Sequence, residues 1–303
     1  MRQKLMSRIC GLATRCLSAA VVFLIASSPG YAEEPLGTKP AYAARELAPI
    51  PNAQALTRRI WLPGLQDGYV PQGLVYLDGK LFFSSYRSTD RQQDRGPCRL
   101  FAMDAKNGVV LGHLDLPESC GHAGGLAIGQ RGHLLVIDTR VLFEIELAKG
   151  QPIGRVLRSV KIHAPVKGSF GAVEADGFWL GQYERKEPAY MHKFAWGALA
   201  KKELTEADAM TTLSIPIFAQ GAAFDAAGAL WVTRSGSKFG ELVKLDRKTG
   251  AVIARYEMPA GIEGISFEEG GALWALSEAG SQRWSNWPGF YPLALRFEML
   301  RLK

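Results

Sequence analysis

Five short apolar segments, each centred on a glycine, recur along the chain, and the interval between them constrains the fold more than any other feature. The segments are Pro71-Gln72-Gly73-Leu74, Ala123-Gly124-Gly125-Leu126, Ser169-Phe170-Gly171-Ala172, Ala219-Gln220-Gly221-Ala222 and Ile262-Glu263-Gly264-Ile265, and their central glycines stand 52, 46, 50 and 43 residues apart. A repeat of that length built from short strands is the spacing of propeller blades. Each segment leads through a turn, of which Asp78-Gly79 and Asp176-Gly177 are the plainest, into a second apolar strand over 81–86, 134–138, 178–183, 230–234 or 273–278. A third strand follows at 99–104, 141–147, 190–194, 241–246 and 293–300, and a fourth where the chain continues, as at 110–116 and 252–258.

The ends of the repeat agree with each other. The fifth unit stops after its third strand, while Arg58-Arg59-Ile60-Trp61-Leu62-Pro63 stands alone ahead of the first. The expected fold is therefore all-β, a single propeller of five four-stranded blades over 56–303, closed by this N-terminal strand so that no sheet edge is left open. Glycine on every innermost strand has a physical reason, because strands converging on an axis need a close backbone approach that a Cβ would block. Two stacked sandwich sheets would accommodate the strands but leave the orphan unexplained. The stretch 197–210, carrying Glu203, Glu206 and Asp208, reads as a solvated surface helix inserted between strands.

Ahead of the repeat lie two segments of different character. Residues 1–32 place Arg2, Lys4, Arg8 and Arg15 before an apolar run of about ten residues, and end at Gly30-Tyr31-Ala32. These are the parts of a secretory signal peptide, and the run is short of the roughly 20 residues of a membrane-spanning helix, so an uncleaved anchor is the weaker reading. Residues 33–55 are rich in Pro and Ala and read as a flexible leader. The formal charge of +7 falls to +3 once the basic residues of 1–32 are set aside, which argues against a nucleic-acid partner. A soluble periplasmic or secreted chain with no transmembrane segment after cleavage is expected, its oligomeric state open. In that compartment Cys98 and Cys120 are expected to join in a disulfide, the alternative being two buried thiols.

In a four-stranded antiparallel blade the start of the innermost strand and the end of the second fall on one face, which assembles a candidate site. The inner-strand starts supply Tyr69, Gln72, His122, Gln220 and Glu263; the second-strand ends supply Tyr86, Asp138, Tyr183, Glu278 and Trp284. An arginine stands at or beyond every second strand: Arg87, Arg140, Arg185, Arg234 and Arg283. Convergent guanidinium groups suit an anion because their forked donors match paired oxygens; the other reading pairs them with Asp138, Glu184 and Glu278. His122 and Glu263 are the catalytic candidates, since an imidazole and a carboxyl near a channel mouth can be tuned toward neutral pH. Gln72 and Gln220 either bind ligand or satisfy backbone groups at the axis. The loop 281–291, with Trp284 and Trp287, offers aromatic faces for a sugar or another flat ligand, or packs on itself.

Ile262-Glu263-Gly264-Ile265, together with the repeat, resembles exported propellers of the gluconolactonase and strictosidine-synthase-like superfamily. The resemblance implies a metal-binding role for Glu263. Those enzymes have six blades and place their ion on Glu, Asn and Asp, whereas this chain has only Asn52, Asn107 and Asn286. The cofactor stays open, and no metal site is assigned. A Ca2+ ion, if used, would draw oxygens from Glu263 with Asp138 or Glu278. Two functions compete: an exported binding or interaction module recognising a small anionic or polyhydroxylated, sugar-like ligand on one face, and a hydrolase or lactonase acting on a small ester, lactone or glycan-like substrate. Fold alone does not choose between them.

Overall fold

The computed structural model describes residues 34–303, so the proposed signal peptide at 1–32 lies outside the described residues. Five antiparallel sheets follow one another around a ring. Blade 1 is built from Tyr69–Leu77, Lys80–Arg87, Cys98–Asp104 and Val110–Asp115. Blade 2 comprises Gly125–Ile128, Leu134–Asp138, Val141–Glu146 and Arg155–Ile162, and blade 3 Phe170–Glu174, Gly177–Gly181, Ala189–Ala195 and Thr211–Ile215. Blade 4 runs through Ala219–Phe224, Leu230–Gly236, Phe239–Leu245 and Val252–Met258. Blade 5 takes Ile262–Phe267, Leu273–Ser277 and Leu293–Phe297 from the C-terminal end of the chain and Leu56–Trp61 from the N-terminal side, the last pairing antiparallel with Leu293–Phe297. The orphan strand thus closes the ring as its sequence predicts.

Burial follows the layering. The second strand of blade 2, Leu134–Asp138, is buried along its whole length, whereas the outermost Val252–Met258 alternates between half-buried and exposed positions before ending on the buried Met258. Hairpin chemistry is local: Asp78 and Gly79 both take positive φ, 48° and 75°, as a two-residue turn matched to the twist of its strands demands. At the axis, a Cβ on Gly264 would lie 2.4 Å from Leu74 N, and one on Gly73 would lie 2.6 Å from Leu126 N. Blade 5 therefore packs backbone to backbone on blade 1, and blade 1 on blade 2, which only glycine allows. Side-chain hydroxyls latch the same seams, Ser84 donating to the carbonyl of Ala123 and Thr233 to that of Glu263.

Two regions differ from the sequence expectation. The stretch 197–210 is not an α-helix; it forms the short 3-10 turns Trp196–Ala200 and Glu206–Asp208 around Glu203–Leu204, which adds in parallel to the edge of blade 2. The Gly and the polar spacing between Leu199 and Leu204 leave too little apolar periodicity to carry a helix. Residues 35–55, expected as a loose leader, are hydrogen-bonded to blade 5. Leu36 exchanges backbone hydrogen bonds with Arg59 and Trp61, the Tyr42 hydroxyl donates to the Gly280 carbonyl, and the Arg45 guanidinium donates to the carbonyls of Ser285, Trp287 and Pro288.

Candidate functional site

Three of the five innermost strands carry a register irregularity at the same place. The pairing skips Gln72 in blade 1, Gln220 in blade 4 and the Glu263-Gly264 step in blade 5. A bulge inserts an unpaired residue and re-aims its side chain, and here it delivers three polar groups to the face where inner strands begin. Gln220 Nε2 donates to Glu263 Oε1 at 2.8 Å, and Gln72 Nε2 donates to Glu278 Oε2 at 2.9 Å. The Trp284 indole N–H donates to the same Glu278 oxygen at 2.8 Å. Glu263 and Glu278 hydrogen-bond each other.

The two carboxyl groups are 1% and 6% exposed, and so little water reaches them that two full charges cannot coexist there. Burial, and then the charge of Glu278, push the Glu263 carboxyl well above the usual carboxylate range. Burial raises Glu278 as well, but the Trp284 N–H, the Arg283 charge and Gln72 hold the rise to about 7. The pair therefore holds one proton firmly and exchanges a second near neutrality.

Arg283, expected on an open rim, is buried beside this pair. It donates to the Tyr86 hydroxyl and, at 3.0 Å, to the Arg91 carbonyl, and it lies 4.3 Å from the centroid of the Trp284 ring. Among the described residues its Nε has no hydrogen-bond partner. Tyr86 in turn stacks on His122 with ring centroids 4.4 Å apart, and burial followed by the Glu278 charge raises its hydroxyl pKa. Gln72, Tyr86, Arg283, Trp284 and the carboxyl pair thus form one contiguous cluster that ends at His122.

His122 owes its place to a turn anchored by Asp138. The backbone N–H groups of Gly121, His122 and Ala123 donate to Asp138 Oδ1 at 3.2, 2.5 and 3.0 Å, and Arg95 donates to Oδ2 at 3.2 Å. Burial alone would raise Asp138, but the three amides and Arg95 more than offset it and leave it below the usual range. With both oxygens engaged, Asp138 is a structural anchor. Its Oδ1 accepts three amides and its Oδ2 one guanidinium N–H, while the carboxyls of Glu263 and Glu278 are turned on each other. Ala123 takes a positive φ of 51° to complete the turn. The turn is also tied covalently: Cys120 and Cys98 form a disulfide with Cα atoms 5.9 Å apart, and Cys98 pairs directly with Tyr86 across the sheet.

The remaining expected residues engage other partners. Tyr69 is buried edge-on against Phe101 under the Arg99 guanidinium. Arg87 donates to the Asp67 carbonyl, Arg234 to the Ile217 carbonyl and to Glu241, and Arg185 to the Tyr183 hydroxyl. Arg140 is exposed in the Asp138–Val141 turn. Arg87, Arg185 and Arg234 thus each spend at least one guanidinium N–H on an acceptor of the protein, while Arg140 is exposed and Arg283 is buried beside the carboxyl pair. Arg95 and Asp94, which hold the His122 turn, were not visible as site residues. They stand in the long loop after the second strand of blade 1, and nothing local marks the fold-back of that loop.

Fold and site together define a five-bladed β-propeller with a buried, hydrogen-bonded pair of glutamates at the start of the innermost strand and just beyond the second strand of blade 5. Among solved structures the chain is similar to the glutaminyl cyclase of Myxococcus xanthus, at 14% identity over 80% of this chain and 94% of that one, with a TM-score of 0.54. It is also similar to a luciferin-regenerating enzyme at 11% identity, covering 77% and 92% of the two chains with a TM-score of 0.46, and to a gluconolactonase-like propeller at 16%, covering 76% and 80% with a TM-score of 0.42. At 14% identity the likeness to the glutaminyl cyclase is one of fold. No protein-family model and no curated protein matches the chain.

Proposed function

We propose that the protein is an acid–base enzyme of acyl transfer, acting at an amide or lactone carbonyl of a small substrate that reaches the Glu263–Glu278 pair. The observation that carries this reading is the buried Glu263–Glu278 pair, whose second proton leaves at about 7. A catalyst at neutral pH needs a carboxyl of this kind, and shifted carboxyls gather at functional sites. Protonated, the pair gives a proton to the departing nitrogen or oxygen; the Arg283 and Trp284 donors stabilise the carboxylate left behind. The likeness to a protein named glutaminyl cyclase makes an intramolecular aminolysis the first reaction to try. There the amine nitrogen bonds to the carboxamide carbon, the C–N bond breaks and ammonia leaves.

The test is turnover of a panel of glutaminyl peptides and of small lactones, followed by ammonia release and by ring opening respectively. Glu278→Gln is expected to lower kcat by roughly 100-fold or more on the substrate that is turned over, with the circular dichroism of the parent retained. A panel with no turnover, or a Glu278→Gln variant as fast as the parent, defeats the proposal.

A further inference from the structure

His122 is poised with one ring nitrogen spent and the other open. Its Nδ1 lies 2.6 Å from the backbone carbonyl of Asp94. A carbonyl oxygen can only accept, so Nδ1 carries the proton and the neutral ring presents a bare lone pair at Nε2. Among the described residues no group donates to Nε2, although the ring is only partly exposed. The orientation is held from three sides: the Tyr86 ring stacked at 4.4 Å, the Asp94 carbonyl, and the three-amide turn locked on Asp138. An arrangement that fixes the tautomer and leaves the other nitrogen unpaired is one that keeps an acceptor ready.

We infer that His122 Nε2 is the base that takes the proton from the attacking group, while the Glu263–Glu278 pair, at the other end of the same cluster, serves the leaving group. The inference rests on the acyl-transfer reading above. In the aminolysis, the amine gives its proton to Nε2 as the N–C bond forms, and the carboxyl pair gives one to the carboxamide nitrogen as the C–N bond breaks and ammonia departs. The imidazolium then returns its proton to solvent and the pair regains one from it, so the balance closes without any further reagent. The charged groups facing the ring are Asp138, Asp94 and Arg283; burial outweighs the two acids and lowers the imidazole pKa, which keeps Nε2 unprotonated at neutral pH. The working protonation state, neutral His122 with a protonated carboxyl pair, is then bounded below by the imidazole and above by Glu278 at about 7.

Two measurements test this. Nitrogen-15 spectra of the labelled protein should show His122 as the Nδ1–H tautomer at pH 7, and diethyl pyrocarbonate, which acylates an unprotonated imidazole nitrogen, should modify it, with modification blocked by the substrate that is turned over. An Nε2–H tautomer, or an unreactive ring, overturns the inference whatever the activity. In kinetics, His122→Gln should cost roughly 100-fold or more in kcat/KM and erase the acid limb of the pH profile while keeping the alkaline limb. A His122→Gln variant with parental rate and profile, alongside an inactive Glu278→Gln, sinks the role of His122 alone. Absence of turnover by the parent takes down both readings.

Discussion

Glu278 behaves as two things at once, a buried acid and a hydrogen-bond hub, and its protonation must register in stability. Its carboxyl is raised in the folded state from an ordinary 4.5 to about 7, so the unfolded chain releases that proton first as pH rises. The sign follows: the contribution is complete below about 4.5 and is lost as pH climbs through about 7. Urea unfolding at pH 5 and pH 8 should show the parent less stable at the higher pH by on the order of 3 kcal/mol. Glu278→Gln should reduce that difference by the share Glu278 carries and leave the slope that the raised Glu263 carboxyl supplies; a slope unchanged in the variant would mean that Glu278 contributes nothing to it. Glu263 and Glu278 were both legible as candidates, because a hairpin puts the start of one strand beside the end of the next. Their shared proton was not legible, since it depends on the bulges that turn Glu263 and Gln72 inward and on a degree of burial no local pattern encodes.

At the scale of elements, the disulfide and the glycine seams do the positioning. Cys98 to Cys120 closes a loop with a sequence separation of 22, and such closure contributes on the order of 3 kcal/mol in the chain-entropy model. The pair of changes Cys98→Ser and Cys120→Ser should therefore lower the urea midpoint. It should also broaden the His122 ring signals, because Cys120 leads directly into the turn that Asp138 grips; sharp, unshifted signals would show that Asp138 suffices. Gly264→Ala tests the seam between blades 5 and 1. Its Cβ would fall 2.4 Å from Leu74 N, backbone that cannot step aside, so a loss of roughly 2 kcal/mol or more is expected in the same assay. Parental stability would show that the blades can separate there. The expected surface helix at 197–210 is the clearest element-level miss. Its acidic residues read as a solvated face, but Thr205 and Asp208 cap a single 3-10 turn instead.

For the whole molecule, ring closure is the organising event. Removing residues 34–61 would take away Leu56–Trp61, leave Leu293–Phe297 as an exposed edge and release the Arg45 clamp on the Trp287 loop. The truncated protein should unfold at lower denaturant and associate through the bared edge, as read by denaturation curves and light scattering. A monomer as stable as the parent would show that the velcro strand is dispensable. Among the described residues no helix is long and apolar enough to cross a membrane, and the disulfide is consistent with an oxidising compartment.

The sequence by itself determined the number of blades, the closing strand and the disulfide partners. Each of these depends on periodicity, on chain order or on residue type, which a linear chain displays directly. Only the tertiary structure decided which polar groups meet. Gln72, Gln220 and Glu263 come inward through bulges, Arg283 is buried while the other four blade arginines are bound or solvated, and the loop between the second and third strands of blade 1 brings the Asp94 carbonyl to the His122 ring. Contacts between blades are set by packing at the axis, where residues about two hundred positions apart in the chain, such as Gln72 and Glu278, become hydrogen-bonded neighbours.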